Sequence, residues 1–215
     1  LGAGAIGGLC GALFARAGHE VSLVARGAHL EALRARGLAL DSAAGREVHR
    51  LPASDDPAEF GVQDLVLIGL KAYSVAPMLE RIGPLVGEPT VVVPAINGLP
   101  WWYFHREGGR HDGEPIACLD PQRRMFGALD PARVVGCVVH AAAEVVEPGV
   151  VRHAAGRRFV IGEPDGTDSA RLQRLALAMD GAGFEVQTTR RIRDEVWMKL
   201  IGNLSYNPVA ALTLA

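Results

Sequence analysis

The first eight residues contain the pattern that most limits how this chain can fold, the run Gly2-Ala3-Gly4-Ala5-Ile6-Gly7-Gly8. A G-x-G-x-x-G turn cradles the pyrophosphate of a dinucleotide only when a buried strand enters it and a helix leaves it, because the helix N-terminus holds the phosphate. Apolar residues recur at helical spacing after the glycines, and Gly18-His19 ends the predicted helix before an apolar run at residues 21–25. The sequence therefore predicts a βαβ unit.

Almost none of the strand that should enter this turn is present, because only Leu1 precedes the glycines. A Rossmann sheet needs its central strand filled, so we expect that residue 1 is not the natural start of the protein. The alternative for the turn itself is a tight connection whose glycines bind no ligand. We favour dinucleotide binding, with contacts from Gly2, Gly4, Ala5, Ile6 and Gly7.

The composition is that of an ordinary globular protein with small-molecule partners. The chain has 215 residues, of which 49% are hydrophobic and 21% charged, enough to bury a core. Its 22 Lys and Arg against 24 Asp and Glu give a net charge of −2, which creates no field that would gather nucleic acid or anionic lipid. We therefore expect neither nucleic acid nor a membrane as a partner.

Cysteine usage and the absence of long apolar runs predict a cytoplasmic protein without a metal site. The three cysteines are far apart and lack the spacing of zinc ligands, which favours reduced thiols: Cys10, Cys118 and Cys137. No apolar run approaches the roughly 20 residues that span a bilayer.

Strands and helices alternate along the first half of the chain. Residues 64–70 and 90–94 are nearly continuous apolar runs, typical of parallel strands covered on both faces. Helices are predicted at residues 28–36 and 74–82, and a hairpin joins residues 38–41 to 47–51. This order predicts an α/β, Rossmann-type dinucleotide-binding domain.

The second half adds predicted strands at residues 134–140, 150–153 and 158–161, paired antiparallel at the sheet edge. Thr167-Asp168 is predicted to cap a helix that is followed by a strand at residues 184–187, and a new helix begins near Ile192. We divide the chain into a Rossmann domain at residues 1–189 and the beginning of an all-helical C-terminal domain at residues 190–215.

Residues 99–131 interrupt the pattern as an insertion without clear periodicity. The segment contains the aromatic run Trp101-Trp102-Tyr103-Phe104-His105. This run either reshapes the mouth of a substrate pocket or simply covers the edge of the sheet.

The residue after the second strand discriminates between cofactors. NAD-specific sites place Asp or Glu there, about 20 residues beyond the glycines, to bind the ribose 2′-hydroxyl. Here the position holds Arg26, whose guanidinium matches a 2′-phosphate by charge and by its forked donors. NADPH is therefore favoured over NADH, the alternative being a solvated surface arginine.

Two polar residues follow buried strands, at the edge where open α/β sheets bind their ligands. Lys71 comes directly after residues 64–70, and Asn97 follows residues 90–94. Taken alone, either residue could lie outside any binding site: Lys71 could be a surface charge, and Asn97-Gly98 could be a simple turn. Their position on the same rim favours a role in the site.

The last predicted helix carries the strongest catalytic pattern. Lys199, Asn203 and Asn207 are spaced i, i+4, i+8, which places three polar groups within roughly 80° of a helix surface. A lysine beside a dinucleotide can protonate the alkoxide that hydride transfer generates from a ketone. The asparagines would orient the substrate, whereas a lone lysine here would more often be a snorkelling surface group.

These motifs resemble the ketopantoate reductase (2-dehydropantoate 2-reductase) family along the whole chain. Besides the glycine turn, the resemblance rests on Leu70-Lys71-Ala72-Tyr73, Asn97-Gly98, His140-Ala141-Ala142 and the series from Trp197 to Pro208. It implies NADPH-dependent reduction of a 2-keto acid, with Lys199 as the acid and Asn203 and Asn207 as substrate contacts. It also implies that Lys71, Asn97 and the backbone of Ala142 lie beside the cofactor.

The chain departs from that family in the insertion at residues 99–131 and in Ile96, where members normally have Gln. The family completes its site with a serine and a glutamate from a helical C-terminal domain, beyond residue 215, through which we expect a homodimer. Two other functions stay open: a reductase of a bulkier 2-keto acid, and a non-catalytic NADP(H)-binding module that reports redox state. The 215 residues alone could also bind cofactor without turnover.

Overall fold

The computed structural model describes residues 1–213 and has the predicted α/β architecture. The strands are β1 (Leu23–Val24), β2 (Leu38–Ser42), β3 (Gly45–His49), β4 (Ala53–Ser54), β5 (Leu65–Ile68), β6 (Val91–Pro94), β7 (Gly136–Glu147), β8 (Val150–Gly162) and β9 (Glu185–Thr188). The helices are α1 (Ala5–Arg16), α2 (Gly27–Arg36), α3 (Leu79–Ile82), α4 (Arg124–Ala128), α5 (Ala170–Gly181) and α6 (Ile192–Thr213).

The first residues of the chain join two pairs of parallel strands. Leu1 donates its terminal N–H to the carbonyl of Leu67 at 2.7 Å, and the N–H of Gly69 donates back to Leu1 at 2.9 Å. On the other side, the N–H groups of Gly2 and Ala3 donate to the carbonyl of Val24. Since β1 pairs with β4 and β5 with β6, the glycine turn lies between β1 and β5, as in a doubly wound dinucleotide-binding sheet.

A second sheet has the order β3-β2-β8-β7, with β9 also paired to β8. The antiparallel pairing of β7 with β8 was predicted, but its extent and place were not. Residues 150–162 form one continuous strand instead of two short ones, and β8 is flanked on both sides instead of lying at an edge. An isolated bridge from Val92 to Val134 connects this hairpin to β6.

Two hydrophobic clusters place α1 and α6 on the sheets. Helix α1 buries Leu9 and Leu13 in a cluster that also contains Val151 and Phe159 of β8. Helix α6 buries Ile192 and Val196 in a second cluster, which contains Val138 of β7 and both tryptophans of the insertion. The clusters account for the apolar residues predicted to be buried in α1, and they fix the base of α6 against β7.

Two local predictions were wrong. The continuous helix at residues 74–82 is instead a series of 3₁₀ turns around the short α3, because Pro77 and Pro84 each lack an N–H and disfavour continuation of an α-helix. The cap of α5 is not Thr167-Asp168 but Ser169, whose hydroxyl accepts the N–H of Leu172 at 3.1 Å.

The predicted division at residues 189 and 190 agrees with the start of α6 at Ile192 but remains a prediction. The last two residues of the second predicted domain, Leu214 and Ala215, lie outside the described part of the chain. Within residues 1–213, none of the helices combines the length and apolar character that a membrane crossing requires.

Candidate active site

The glycines of the first turn are required by close backbone packing. Gly2 has a φ of +79°, a conformation that favours glycine, and a side chain on Gly7 would lie 2.1 Å from the carbonyl oxygen of Gly2. Gly69, at the end of β5, packs against the backbone of Gly7 in the same way. A Cβ on Gly4 would instead meet, within 4 Å, no atom of residues 1–213 other than those of its chain neighbours. The turn therefore leaves open space at Gly4 alone among these glycines.

That space lies at the start of α1, where backbone donors are free. Among the described residues, no atom accepts a hydrogen bond from the N–H groups of Gly4, Ala5 and Ile6. The first turn of α1 also carries no acidic residue that would repel an anion. Unpaired N–H groups and the helix dipole together favour a phosphate. The residues present thus fit the pyrophosphate of a dinucleotide.

Arg26 lies directly beyond β1, as the N-cap residue of α2, and its side chain is exposed. The neighbouring Ala25 donates its N–H to Ser54 of β4 at 3.0 Å, so the ends of these two strands stay together beside Arg26. In the described part of the chain the guanidinium has no ion-pair or hydrogen-bond partner. It is available to an anionic ligand at this strand end.

A cavity of about 400 Å³ lies at the carboxyl ends of β5 and β6. It brings together Asn97, Lys199 and Asn203, which the sequence analysis named from two regions of the chain. Lys71 is exposed and lies outside this lining, although the following Ala72 and Tyr73 contribute to it. Asn207 is exposed, further along α6, and does not line the cavity.

Lys199 is half-buried, and its Nζ donates to the carbonyl oxygen of Val139 in β7. Burial lowers the pKa of Lys199, because the charged ammonium loses solvation. A lysine of lowered pKa that is held at one end of a cavity is suited to deliver a proton to a bound oxygen.

Ala142 lies in an irregular part of β7. The pairing register with β8 shifts on both sides of this residue, and Gly156 of β8 approaches so closely that a side chain there would lie 2.5 Å from the carbonyl of His140. Bulges of this kind redirect backbone groups next to active sites. Ala142 is exposed and pairs with Ala155 of β8.

The insertion at residues 99–131 contributes both to the core and to the wall of the cavity. Trp101 and Trp102 are 3% and 1% exposed and belong to the core, with the indole N–H of Trp101 donating to Leu129 at 3.2 Å. The same segment also supplies apolar walls of the cavity, namely Leu99, Pro100, Leu119 and Met125. It therefore covers the sheet and shapes the pocket.

One residue that contacts the glycine turn was missed in the sequence. His29 of α2 approaches the carbonyl oxygen of Ala3 through Nε2 at 2.8 Å, and its Nδ1 accepts the N–H of Gly149 at 3.1 Å. A single histidine on a largely polar helix carries no sequence signal of such a role. Its partners lie 26 and 120 residues away.

Comparison with known proteins shows which proteins this chain resembles. The family model described as "Ketopantoate reductase PanE/ApbA" matches residues 1–166. A 2-dehydropantoate 2-reductase of Mesorhizobium japonicum is 46% identical over 213 residues, and the chain spans 65% of that relative's length.

Two solved structures share the fold over the whole chain. A candidate ketopantoate reductase from Ralstonia solanacearum MolK2 is 41% identical with a TM-score of 0.95, and the chain covers 66% of it. A 2-dehydropantoate 2-reductase from Geobacter metallireducens GS-15 is 30% identical with a TM-score of 0.83, and the chain covers 64% of it. Because the family model matches more than half of the residues, this chain belongs to the ketopantoate reductase family.

Proposed function

We propose that this chain is the dinucleotide-binding part of a reductase that uses NADPH to reduce the ketone of 2-dehydropantoate or a related 2-keto acid. The observation that carries the proposal is the juxtaposition of Lys199, Asn97 and Asn203 on one cavity at the carboxyl ends of β5 and β6. Reduction of 2-dehydropantoate is the activity for which the related 2-dehydropantoate 2-reductases are named.

The turn residues Gly4, Ala5 and Ile6 would bind the pyrophosphate through their N–H groups, with Gly2 and Gly7 shaping the turn. Arg26 would bind the 2′-phosphate. Lys71, Asn97 and the backbone of Ala142 would lie nearer the reactive end of the cofactor. When bound, NADPH supplies the hydride that reduces the ketone carbon.

Lys199 would donate a proton from Nζ to the ketone oxygen as negative charge develops there. The carbonyl of Val139 holds Nζ in place, and Asn203 would orient the substrate by hydrogen bonding. We assign Asn207 to the substrate as well, at a position further along α6. Apolar walls from the insertion would limit access of water and strengthen these polar contacts.

The acid role is tested with Lys199→Ala in the protein expressed at the full length of its gene. We expect turnover of 2-dehydropantoate to fall about 10²- to 10⁴-fold with little change in the Kd of NADPH. The matched control is Met198→Ala, since the neighbouring Met198 is 70% exposed and does not line the cavity. Near-normal turnover by the Lys199 variant, with intact NADPH binding, would disprove the assignment.

The pH dependence is a second readout of the same role. Lys199 is an acid only while protonated, so ketone reduction slows as the pH rises through its pKa. Because burial lowers that pKa, the alkaline limb of the kcat profile should lie below the range of an ordinary lysine. A profile without this limb would contradict the proposal.

Cofactor preference is tested at Arg26. Arg26→Ala should weaken the binding of NADPH at least about tenfold and leave the binding of NADH nearly unchanged, because only NADPH has the 2′-phosphate. Arg50→Ala is the matched control, because Arg50 is also exposed. Strands β1 and β4 are parallel; Arg50 precedes β4 and Arg26 follows β1, so the two arginines lie at opposite ends of this strand pair. Tighter binding of NADH than NADPH by the wild-type protein would overturn the assignment.

A second candidate is a reductase of a bulkier 2-keto acid, favoured by the apolar cavity walls from residues 99–131. Comparing kcat/KM for 2-dehydropantoate with that for 2-keto acids of larger apolar substituents separates the two. Tight NADPH binding without consumption for any keto acid would instead identify a redox-sensing module.

We also propose a homodimer in the cytoplasm. Sedimentation of the purified protein should give twice the mass of its chain, and fractionation of the source cells should recover it without membranes. A monomer at micromolar concentration would contradict the first expectation.

A further inference from the structure

The contacts of His29 define the state of its ring. The carbonyl oxygen of Ala3, 2.8 Å from Nε2, can only accept a hydrogen bond, and the N–H of Gly149, 3.1 Å from Nδ1, can only donate one. Both bonds are satisfied together only by a neutral imidazole with its proton on Nε2. His29 is thus a donor to the glycine turn and an acceptor from the β7–β8 turn.

The β7–β8 turn is itself fixed to α2 and β2. Arg36 donates to the carbonyl of Pro148 at 3.0 Å, and the N–H of Ala39 donates to Gly149 at 2.9 Å. Gly149 packs directly on Ala32, so that a side chain there would lie 3.0 Å from the Cβ of Ala32. The ring of His29 is therefore held at Nδ1 by a turn that makes several contacts of its own, and these contacts set the direction of Nε2.

That direction determines the orientation of one peptide group in the turn. The carbonyl of Ala3 and the N–H of Gly4 belong to the same planar trans peptide, in which they point in opposite directions. Fixing the oxygen toward His29 therefore turns the N–H of Gly4 away from it. Among the described residues this N–H has no acceptor, and the space beside Gly4 is open.

We propose that His29 is a positioning residue for dinucleotide binding, which aims the N–H of Gly4 at the pyrophosphate through its hydrogen bond to Ala3. His29 does not touch the dinucleotide itself. The inference rests on the proposed binding of a dinucleotide at the glycine turn, and not on the preference for NADPH or on the acid role of Lys199. Its effect should be equal for NADPH and NADH, because the pyrophosphate is common to both.

Three substitutions separate the two hydrogen bonds of the ring. The amide of His29→Gln can replace the Nε2 donor to Ala3, whereas the shorter His29→Asn can replace only the Nδ1 acceptor for Gly149, and His29→Leu replaces neither. The measurement is the Kd of NADPH and of NADH in the protein expressed at full gene length, by quenching of intrinsic fluorescence. Thermal unfolding of each variant is recorded in parallel.

We expect His29→Gln to bind both cofactors within about twofold of the wild type, and the Asn and Leu variants to bind both about 3- to 10-fold more weakly. At saturating cofactor, kcat should be unchanged in all three. A purely structural role predicts a lower Tm for Leu and Asn without a change in Kd, and this result would overturn the proposal. The proposal would also be overturned if His29→Gln weakened cofactor binding as much as His29→Leu does.

The outcome is independent of the cofactor assignment. If Arg26→Ala fails to discriminate NADPH from NADH while the His29 variants weaken both equally, the specificity proposal is wrong and the positioning role stands. If the wild-type protein binds neither dinucleotide, both proposals are wrong.

Discussion

At the scale of single residues, two glycines of the same motif serve opposite purposes. Gly7 has no side chain because the carbonyl of Gly2 occupies the place where a Cβ would be, at 2.1 Å. Gly4 has none although its surroundings would admit one, because in the described part of the chain only its own chain neighbours lie within 4 Å of the place of a Cβ. Gly7 is needed for folding, whereas we assign Gly4 to the proposed ligand.

Gly7→Ala should therefore destabilise the protein by at least about 3 kcal/mol or prevent folding, since backbone atoms must move apart. Gly4→Ala should leave the free energy of unfolding unchanged or raise it by up to about 1 kcal/mol, because φ of −73° suits alanine. The methyl group of the new alanine should nevertheless weaken the binding of NADPH about tenfold or more. Chemical denaturation and cofactor titration measure the pair; unaltered NADPH affinity in Gly4→Ala would contradict this reading of the turn.

The sequence predicted many of the candidate site residues because their signals are local. Lys199 and Asn203 are one helical turn apart, and helical geometry alone puts them on one face. Arg26 was identified by its distance from the glycines. His29 gave no signal, since its partners are backbone atoms of Ala3 and Gly149, and backbone groups are the same in every sequence.

At the scale of elements, the insertion is fastened to the helix that carries Lys199. Arg193 of α6 donates to the carbonyl of Tyr103 at 2.6 Å, to that of His105 at 2.8 Å and to Pro164. The indole N–H of Trp197 donates to the Tyr103 hydroxyl at 2.7 Å. The cavity wall and the proposed acid thus belong to one packed unit.

Arg193→Ala should cost about 2–4 kcal/mol, because three carbonyls lose a shared charged donor. It should also accelerate proteolysis within residues 106–114, which follow the released segment. Arg191→Ala is the control: its side chain is 81% exposed and, within residues 1–213, forms an ion pair only with Asp194, so a change within about 0.5 kcal/mol is expected. Equal stability of the two variants in urea denaturation would argue against the clamp.

The elements that were predicted well have long, regular apolar patterns, such as α1, β5 and β6. The errors arose where a neighbour overrode the local pattern. Residues 154–157 of β8 have no strand pattern of their own, and Gly156 even has a φ of +68°; they belong to the strand because Ala155 pairs with Ala142 of β7. The insertion lacks periodicity, and its structure depends on burial of Trp101 and Trp102 against distant residues.

At the scale of the whole molecule, burial divides the three cysteines into two classes. Cys10 and Cys137 are buried in the same hydrophobic cluster, whereas Cys118 is exposed in the insertion. Burial raises the pKa of Cys137 to about 12 and also raises that of Cys10 strongly, because a thiolate is poorly solvated there.

A thiol reagent such as DTNB should therefore react rapidly with one thiol of the native chain at pH 8, if no further cysteines flank residues 1–215, and with all three in guanidinium chloride. Cys118→Ser should abolish the rapid phase, while Cys10→Ser should leave it intact. Rapid labelling of three thiols in the native protein would mean that the core around β7 and α1 opens readily.

The sequence by itself determined much of the order of strands and helices, the glycine turn and the alignment of Lys199 with Asn203, and it predicts the cofactor preference from Arg26. Each of these depends on spacing within about 25 residues, which helix and strand geometry converts directly into position. Only the tertiary structure decided that Lys199 donates to Val139, 60 residues away, and that His29 joins Ala3 to Gly149. These contacts arise from packing of whole elements, and their acceptors and donors are largely backbone groups, which no sequence pattern distinguishes.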